Sequence, residues 1–88
     1  MISVCLPVHD EAETLPRLYE RLHAVLSPYG AYEILFIDDG SRDDSFAVMQ
    51  ALHARDPNVK ILRLSRNFGH QIAITAGCEA ARGDAVIL

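Results

Sequence analysis

The stretch Glu33-Ile34-Leu35-Phe36-Ile37-Asp38-Asp39-Gly40-Ser41 changes character abruptly, from a nearly continuous apolar run to two carboxylates, a glycine and a hydroxyl. A strand with one wet face alternates apolar and polar residues, and the missing alternation here suits a strand covered on both faces. Three other runs read the same way: Ile2 to Val8, Lys60 to Leu64 and Ala85 to Leu88, each short, β-branched and bounded by polar or turn residues. Doubly covered strands pair in parallel.

Between the runs lie segments of helical length. Ala12, Leu15, Leu18, Tyr19, Leu22, Val25 and Leu26 recur on one face of the first. Asp10 and Glu13 stand where an acidic capping box would start it, and Gly30 follows its end. The second begins near Ser41, with Asp43 and Asp44 in its first turn and an apolar stripe of Phe46, Met49 and Leu52. The third runs from about His70 to Arg82. It sets Ile72, Ala76 and Ala80 on one line and Ala73, Gly77 and Ala81 on the next, small residues that allow close approach to a sheet, with Gly83 as a stop. The expected fold class is α/β: three layers, αβα, around a parallel sheet of four strands in the order βαβαβαβ.

Bulk properties agree with one domain at most. The chain has 88 residues, 50% hydrophobic and 23% charged, unlike disordered chains. A net charge of −4 with dispersed Lys and Arg argues against nucleic acid as a partner. Cys5 and Cys78 lack zinc or redox spacing and read as small buried hydrophobes in a reduced, cytoplasmic setting. No apolar run approaches the roughly 20 residues of a membrane-spanning helix. The run Ala85 to Leu88 has no closing polar turn, so the chain is expected to be part of a longer protein.

In open α/β sheets ligands bind beyond the carboxyl ends of the strands, where strand order reverses. The first such end, Pro7-Val8-His9-Asp10-Glu11, is a rigid polar lip, or else a solvated histidine followed by helix-start acids. At the second end, Asp38 and Asp39 repel one another. Their pairing makes sense if one holds backbone amides while the other meets a ligand N–H, a hydroxyl or a cation; the alternative is that both cap a turn. The third end, Leu64-Ser65-Arg66-Asn67-Phe68-Gly69-His70-Gln71, offers Arg66 and a helix N-terminus to a phosphate. Its alternative is an Arg66 salt bridge to Asp38 or Asp39, with Phe68 as a hydrophobic plug. His23 and His53 read as helix-surface residues. With no G-x-G-x-x-G after the first strand, no Walker sequence and no G-x-S-x-G, a nucleotide pocket built on an acidic pair remains.

These three strand-end blocks, in this order and spacing, resemble the opening of family 2 glycosyltransferases. The branch they resemble is the polyprenyl-phosphate sugar transferases, similar to dolichyl-phosphate mannosyltransferase and bacterial undecaprenyl-phosphate glycosyltransferases. The resemblance covers essentially the whole chain. It implies a GT-A fold, of which residues 1–88 are the Rossmann-like, nucleotide-binding half, ending before the family's Asp-x-Asp motif. Pro7, His9, Glu11, Ile37 and Asp39 match positions that contact the nucleotide, with Asp39 accepting from the base N–H. Asp38 takes a supporting role, and Arg66 and His70 are candidates for phosphate or acceptor contacts. The family usually has Tyr where His9 stands and Asn where Asp10 stands; an imidazole can still stack on a base.

The resemblance further implies Mg²⁺ or Mn²⁺ held by ligands beyond residue 88, with no metal ligand and no catalytic residue in this stretch, which alone would transfer no sugar. The partners it implies are a UDP- or GDP-linked nucleotide sugar and a polyprenyl phosphate acceptor, with inverting transfer at the cytoplasmic face of the membrane. The competing expectation is a non-catalytic nucleotide-binding or receiver-like signalling module. A receiver would need a phosphoacceptor Asp after the third strand, where Ser65 and Arg66 stand.

Overall fold

In the computed structural model the described residues are 1–83 and 85–87, with His70 and residues 85–87 described by backbone alone. Strand β1 (Ile2–Val8) pairs in parallel with β2 (Tyr32–Asp38) along its full length. On its other side Ile2, Ser3 and Val4 pair in parallel with β4 (Ala85–Ile87). β3 (Val59–Arg63) pairs in parallel with β2, so the sheet order is β3-β2-β1-β4. Every residue of β2 is buried, which is why its sequence shows no alternation. The last residue of the expected fourth run, Leu88, lies outside the described residues.

The chain steps from β1 to β2 to β3 in one direction and then returns to the far side of β1. Right-handed crossovers therefore put α1 (Leu15–Leu26) and α2 (Ser45–Arg55) on one face and α3 (His70–Ala80) on the other. On the first face Val4, Val8, Ile34, Phe36 and Val59 form one core with Leu15, Tyr19, Leu26, Met49 and Leu52. On the second, Cys5, Leu35 and Ile37 meet Ala73. Gly77 brings α3 onto the sheet: a Cβ there would lie 2.7 Å from Ile37 Cδ1 and 3.3 Å from Cys5 Cβ.

Several sequence expectations need correction. The line containing Ile72 and Ala80 faces outward, with Ile72 53% exposed, because the Ala73 and Gly77 line takes the sheet. Cys78 is exposed rather than buried. α1 begins at Leu15, with Thr14 as an N-cap whose hydroxyl donates back to the Glu11 carbonyl at 3.2 Å instead of capping the helix, so the Asp10–Glu13 capping box does not form. α2 begins at Ser45 rather than near Ser41, with a turn before it. α3 ends at Ala80 with Ala81 extended, and Gly83 serves close approach instead of a left-handed stop. Its N–H donates to Ser3 Oγ at 2.7 Å, an atom that a Cβ on Gly83 would strike.

The amino ends of the strands are joined by a buried acid. Glu33, 2% exposed, accepts from Ser3 Oγ, from the Arg82 N–H at 2.7 Å and from Lys60 Nζ at 3.1 Å. Burial is the largest single influence and opposes its ionisation, but the hydrogen bonds from Ser3, Arg82 and Lys60 together outweigh it and hold the carboxyl at about 2. A pKa depressed on folding stabilises the fold above the unfolded-state value, and that contribution is lost as pH falls toward the folded-state value. Glu33→Gln is therefore expected to lower the unfolding free energy by roughly 2–4 kcal/mol at neutral pH, with the deficit shrinking as pH falls below about 4. Denaturant titrations of both proteins across that range check this, and a deficit that does not change with pH would contradict it.

Candidate functional site

The carboxyl ends of β1 and β2 and the loop after β3 meet around a cavity of about 220 Å³, lined by Pro7, Val8, His9, Glu11, Asp39, Asn67 and Gly69. It opens at β1, the strand where the order of the sheet reverses. Pro7, His9, Glu11 and Asp39 are thus brought together as the strand-end reading expects. Ile37 is not. Its side chain is fully buried among Cys5, Leu35 and Ala73 beneath α3, because the pleat turns it into the core. It has no side-chain surface to offer a ligand.

The neighbouring carboxylates diverge. Asp38 closes β2 with its side chain toward α2, where Oδ1 accepts from the Ser41 N–H at 3.0 Å. Its Oδ2 is buried without a hydrogen bond, 3.7 Å from Arg63 Nε. The Arg63 guanidinium in turn sits 4.0 Å over the Phe46 ring. Arg63 therefore takes the ionic role that the alternative reading gave to Arg66, and the strand register, Asp38 opposite Arg63, is what brings it there. Asp39 points the other way. Its N–H donates to the Val8 carbonyl at 2.8 Å, and its Oδ1 accepts from the Phe68 N–H at 2.8 Å. Oδ2 of Asp39 has no partner among the described residues.

Arg66 stacks 4.8 Å over Phe68, which is 37% exposed and so not a plug. Together with Arg42 and Arg63 it lines a second, larger cavity of about 770 Å³, which shares His9 and Asn67 with the first. Its walls carry three guanidinium groups and the Asp10 carboxylate. The His70 side chain lies outside the described residues; the backbone there begins α3. Among the described residues no group of three His, Cys, Asp or Glu side chains is arranged to hold a metal ion. The end of β3 carries Arg63, Leu64, Ser65 and Arg66 and no carboxylate, so a receiver's phosphoacceptor is missing.

His9 Nδ1 lies 2.9 Å from the Asp39 carbonyl oxygen, which only accepts, so Nδ1–H is the donor in this bond. Nε2 faces Asn67 Nδ2 at 3.3 Å and Asp10 Oδ2 at 3.4 Å. Asn67 borders both cavities and was not singled out in the sequence, where an asparagine two residues before a glycine reads as loop. Gly40 was also missed as a packing residue. Its φ of 70° and the contact it permits are both glycine-only features: a Cβ there would lie 2.3 Å from the Asn67 nitrogen and 2.5 Å from the Arg66 carbonyl carbon.

Residues 3–88 match the profile of Glycosyl transferase family 2. An uncharacterized glycosyltransferase of Bacillus subtilis, YkcC, is 44% identical over 87 residues, which are 98% of this chain and 27% of that protein. The undecaprenyl-phosphate 4-deoxy-4-formamido-L-arabinose transferase of Pseudomonas aeruginosa is 44% identical over 89 residues, 99% of this chain and 26% of the other. The chain thus spans about a quarter of the length of the curated relatives it matches. Among solved structures, Staphylococcus aureus TarS 1-349 in complex with UDP-GlcNAc superposes with a TM-score of 0.82 at 23% identity, covering 97% of this chain and 24% of that one. The mannosyltransferase PcManGT of Pyrobaculum calidifontis, in complex with GDP-Man and Mn²⁺, gives 0.76 at 20%, covering 97% and 25%. At these identities the structural likeness establishes the fold.

The contact between Gly40 and the β3–α3 loop is open to a direct test. Gly40→Ala is expected to cost roughly 2–4 kcal/mol, since it combines a left-handed backbone with a clash against main-chain atoms. Gly30→Ala, at a φ of 90° but with open space around the missing Cβ, is expected to cost only about 1 kcal/mol. Unfolding midpoints for the two variants measure the difference, and equal losses would contradict the packing role given to Gly40.

Proposed function

The chain belongs to glycosyl transferase family 2 and carries the parallel αβα sheet of the GT-A fold, and from that premise we propose that residues 1–88 are the nucleotide-binding half of a sugar transferase. In this reading the intact protein moves a sugar from a UDP- or GDP-linked donor to a polyprenyl phosphate at the cytoplasmic face of a membrane. The observation that carries the proposal is the convergence of Pro7, His9, Glu11 and Asp39 on one cavity at the reversal point of the sheet. The kinship with an undecaprenyl-phosphate sugar transferase supports the choice of acceptor class.

The chemistry follows from Asp39. One oxygen is committed to the Phe68 N–H, which fixes the carboxylate's direction, and the other is left to accept from a ligand. Uracil and guanine each present an imide or lactam N–H between or beside carbonyl groups, a donor that a carboxylate oxygen suits. His9, oriented by the Asp39 carbonyl, offers its ring face to the base, and Pro7 and Glu11 close the near side. The diphosphate would extend from this cleft, with Arg66 and the β3–α3 loop available to anionic oxygen. The acceptor phosphate is an anionic nucleophile at neutral pH, so inverting displacement at the sugar carbon asks little of a general base, and no side chain described here is assigned that role. A divalent cation would neutralise the departing diphosphate, but the described residues offer it no ligand set, and its place in the intact protein is left to other residues.

Asp39→Asn tests the assignment in the full-length protein. The asparagine carbonyl can still accept from the Phe68 N–H, while its amide puts a donor where the base needs an acceptor. Calorimetric titration with UDP and GDP is expected to show at least about tenfold weaker binding of the preferred nucleotide with little change in unfolding midpoint. Unchanged affinity would remove the base contact from this cleft.

A further inference from the structure

Asp10 is the one non-glycine residue with a left-handed backbone among the described residues, at a φ of 52°. Such a conformation costs an L-residue on the order of 1 kcal/mol or more, and it persists where surrounding bonds impose it. Those bonds are visible. Asp10 Oδ1 accepts from the Arg42 N–H at 2.7 Å and from the Asp43 N–H at 3.2 Å. Its own N–H donates to Ser41 Oγ at 3.0 Å. The next two amides continue the seam: Glu11 N–H donates to Ser45 Oγ at 2.8 Å and Ala12 N–H to Asp43 Oδ2 at 3.3 Å. The loop after β1 is thereby clasped to the turn before α2.

The clasp has a directional consequence. His9 and Glu11 line the 220 Å³ cavity, while Asp10 between them does not. The inverted backbone at Asp10 turns Oδ1 toward the start of α2, leaves Oδ2 3.4 Å from His9 Nε2, and keeps both neighbours facing the cleft. We infer that Asp10 is a positioning residue for the nucleotide site: without touching the base, it holds His9 and Glu11 in place by tying the β1–α1 loop to the β2–α2 turn. The inference rests on the nucleotide reading of that cleft. Both bonds from the α2 side end on the same oxygen, Oδ1, so an asparagine carbonyl can replace it, and Asn also tolerates positive φ.

The test separates hydrogen bonding from backbone strain in the full-length protein, with UDP and GDP as calorimetric probes and Asp39→Asn as reference. Asp10→Gly removes the acceptor while permitting the left-handed backbone, and it is expected to weaken binding of the preferred nucleotide about tenfold. Asp10→Asn restores the acceptor and is expected to recover affinity to within about threefold of wild type. Ser41→Ala, a milder lesion that keeps the Asp10 side chain, is expected to cost about threefold. If Asp39→Asn loses affinity but Asp10→Gly and Ser41→Ala bind as wild type does, the positioning role is overturned and the cleft reading stands. If Asp10→Asn binds no better than Asp10→Gly, the clasp is not what orients the site and the inference is likewise overturned. If Asp39→Asn itself binds as wild type does, the cleft reading falls, and this inference falls with it.

Discussion

The pleat at the carboxyl end of β2 is the constraint on which the site depends. Two carboxylates in succession would repel each other if they shared a space, but the alternation of a strand sends Asp38 toward α2 and Asp39 toward the loop before α3. Each then anchors a different loop, Asp38 through the Ser41 N–H and Asp39 through the Phe68 N–H. A pair of like charges becomes a fork that fixes both walls of the cleft. The strand beneath holds the fork still, since every residue of β2 is buried between helical layers.

Around that fork the loops are joined mostly by main-chain donors. Asp39 N–H reaches back to the Val8 carbonyl, His9 Nδ1–H reaches the Asp39 carbonyl, and the clasp at Asp10 ties the first loop to the second. Gly40 lets the second loop touch the third. Loops with few apolar contacts hold a ligand geometry only when such bonds restrain them. The opposite end of the sheet is held by different means, a buried Glu33 bonded to Ser3, Lys60 and the turn that leads into β4. One end of the sheet is thus a polar cleft open to solvent, and the other is a sealed polar knot.

The fold was legible because the strands are doubly covered, which removes alternation and leaves runs such as Ile34 to Ile37 that few other arrangements explain. Helix spans were legible to within a few residues, and their starts were the weakest point. Asp10, Asp43 and Asp44 look like helix-start acids in sequence, yet Asp10 and Asp43 bond across loops, and only the paired register brings their partners near. Pro7, His9, Glu11 and Asp39 were expected together from their place at the strand ends, and they do line one cavity. Ile37 was expected beside them from a family motif, which says nothing of which way a side chain points; its own turns into the core. Arg63, Asn67 and Gly40 were missed because their roles depend on contacts far apart in the chain, such as Asn67 with His9, which no local pattern encodes.

The central proposal is a nucleoside seated between the ends of β1 and β2. A crystal structure of the full-length protein with its preferred nucleoside diphosphate tests that most directly. The base is expected within the cavity bounded by Pro7, His9 and Glu11, with its ring N–H at hydrogen-bond distance from Asp39 Oδ2. A base seated instead in the arginine-lined cavity beside Arg63 and Arg66, with Asp39 untouched, would contradict it.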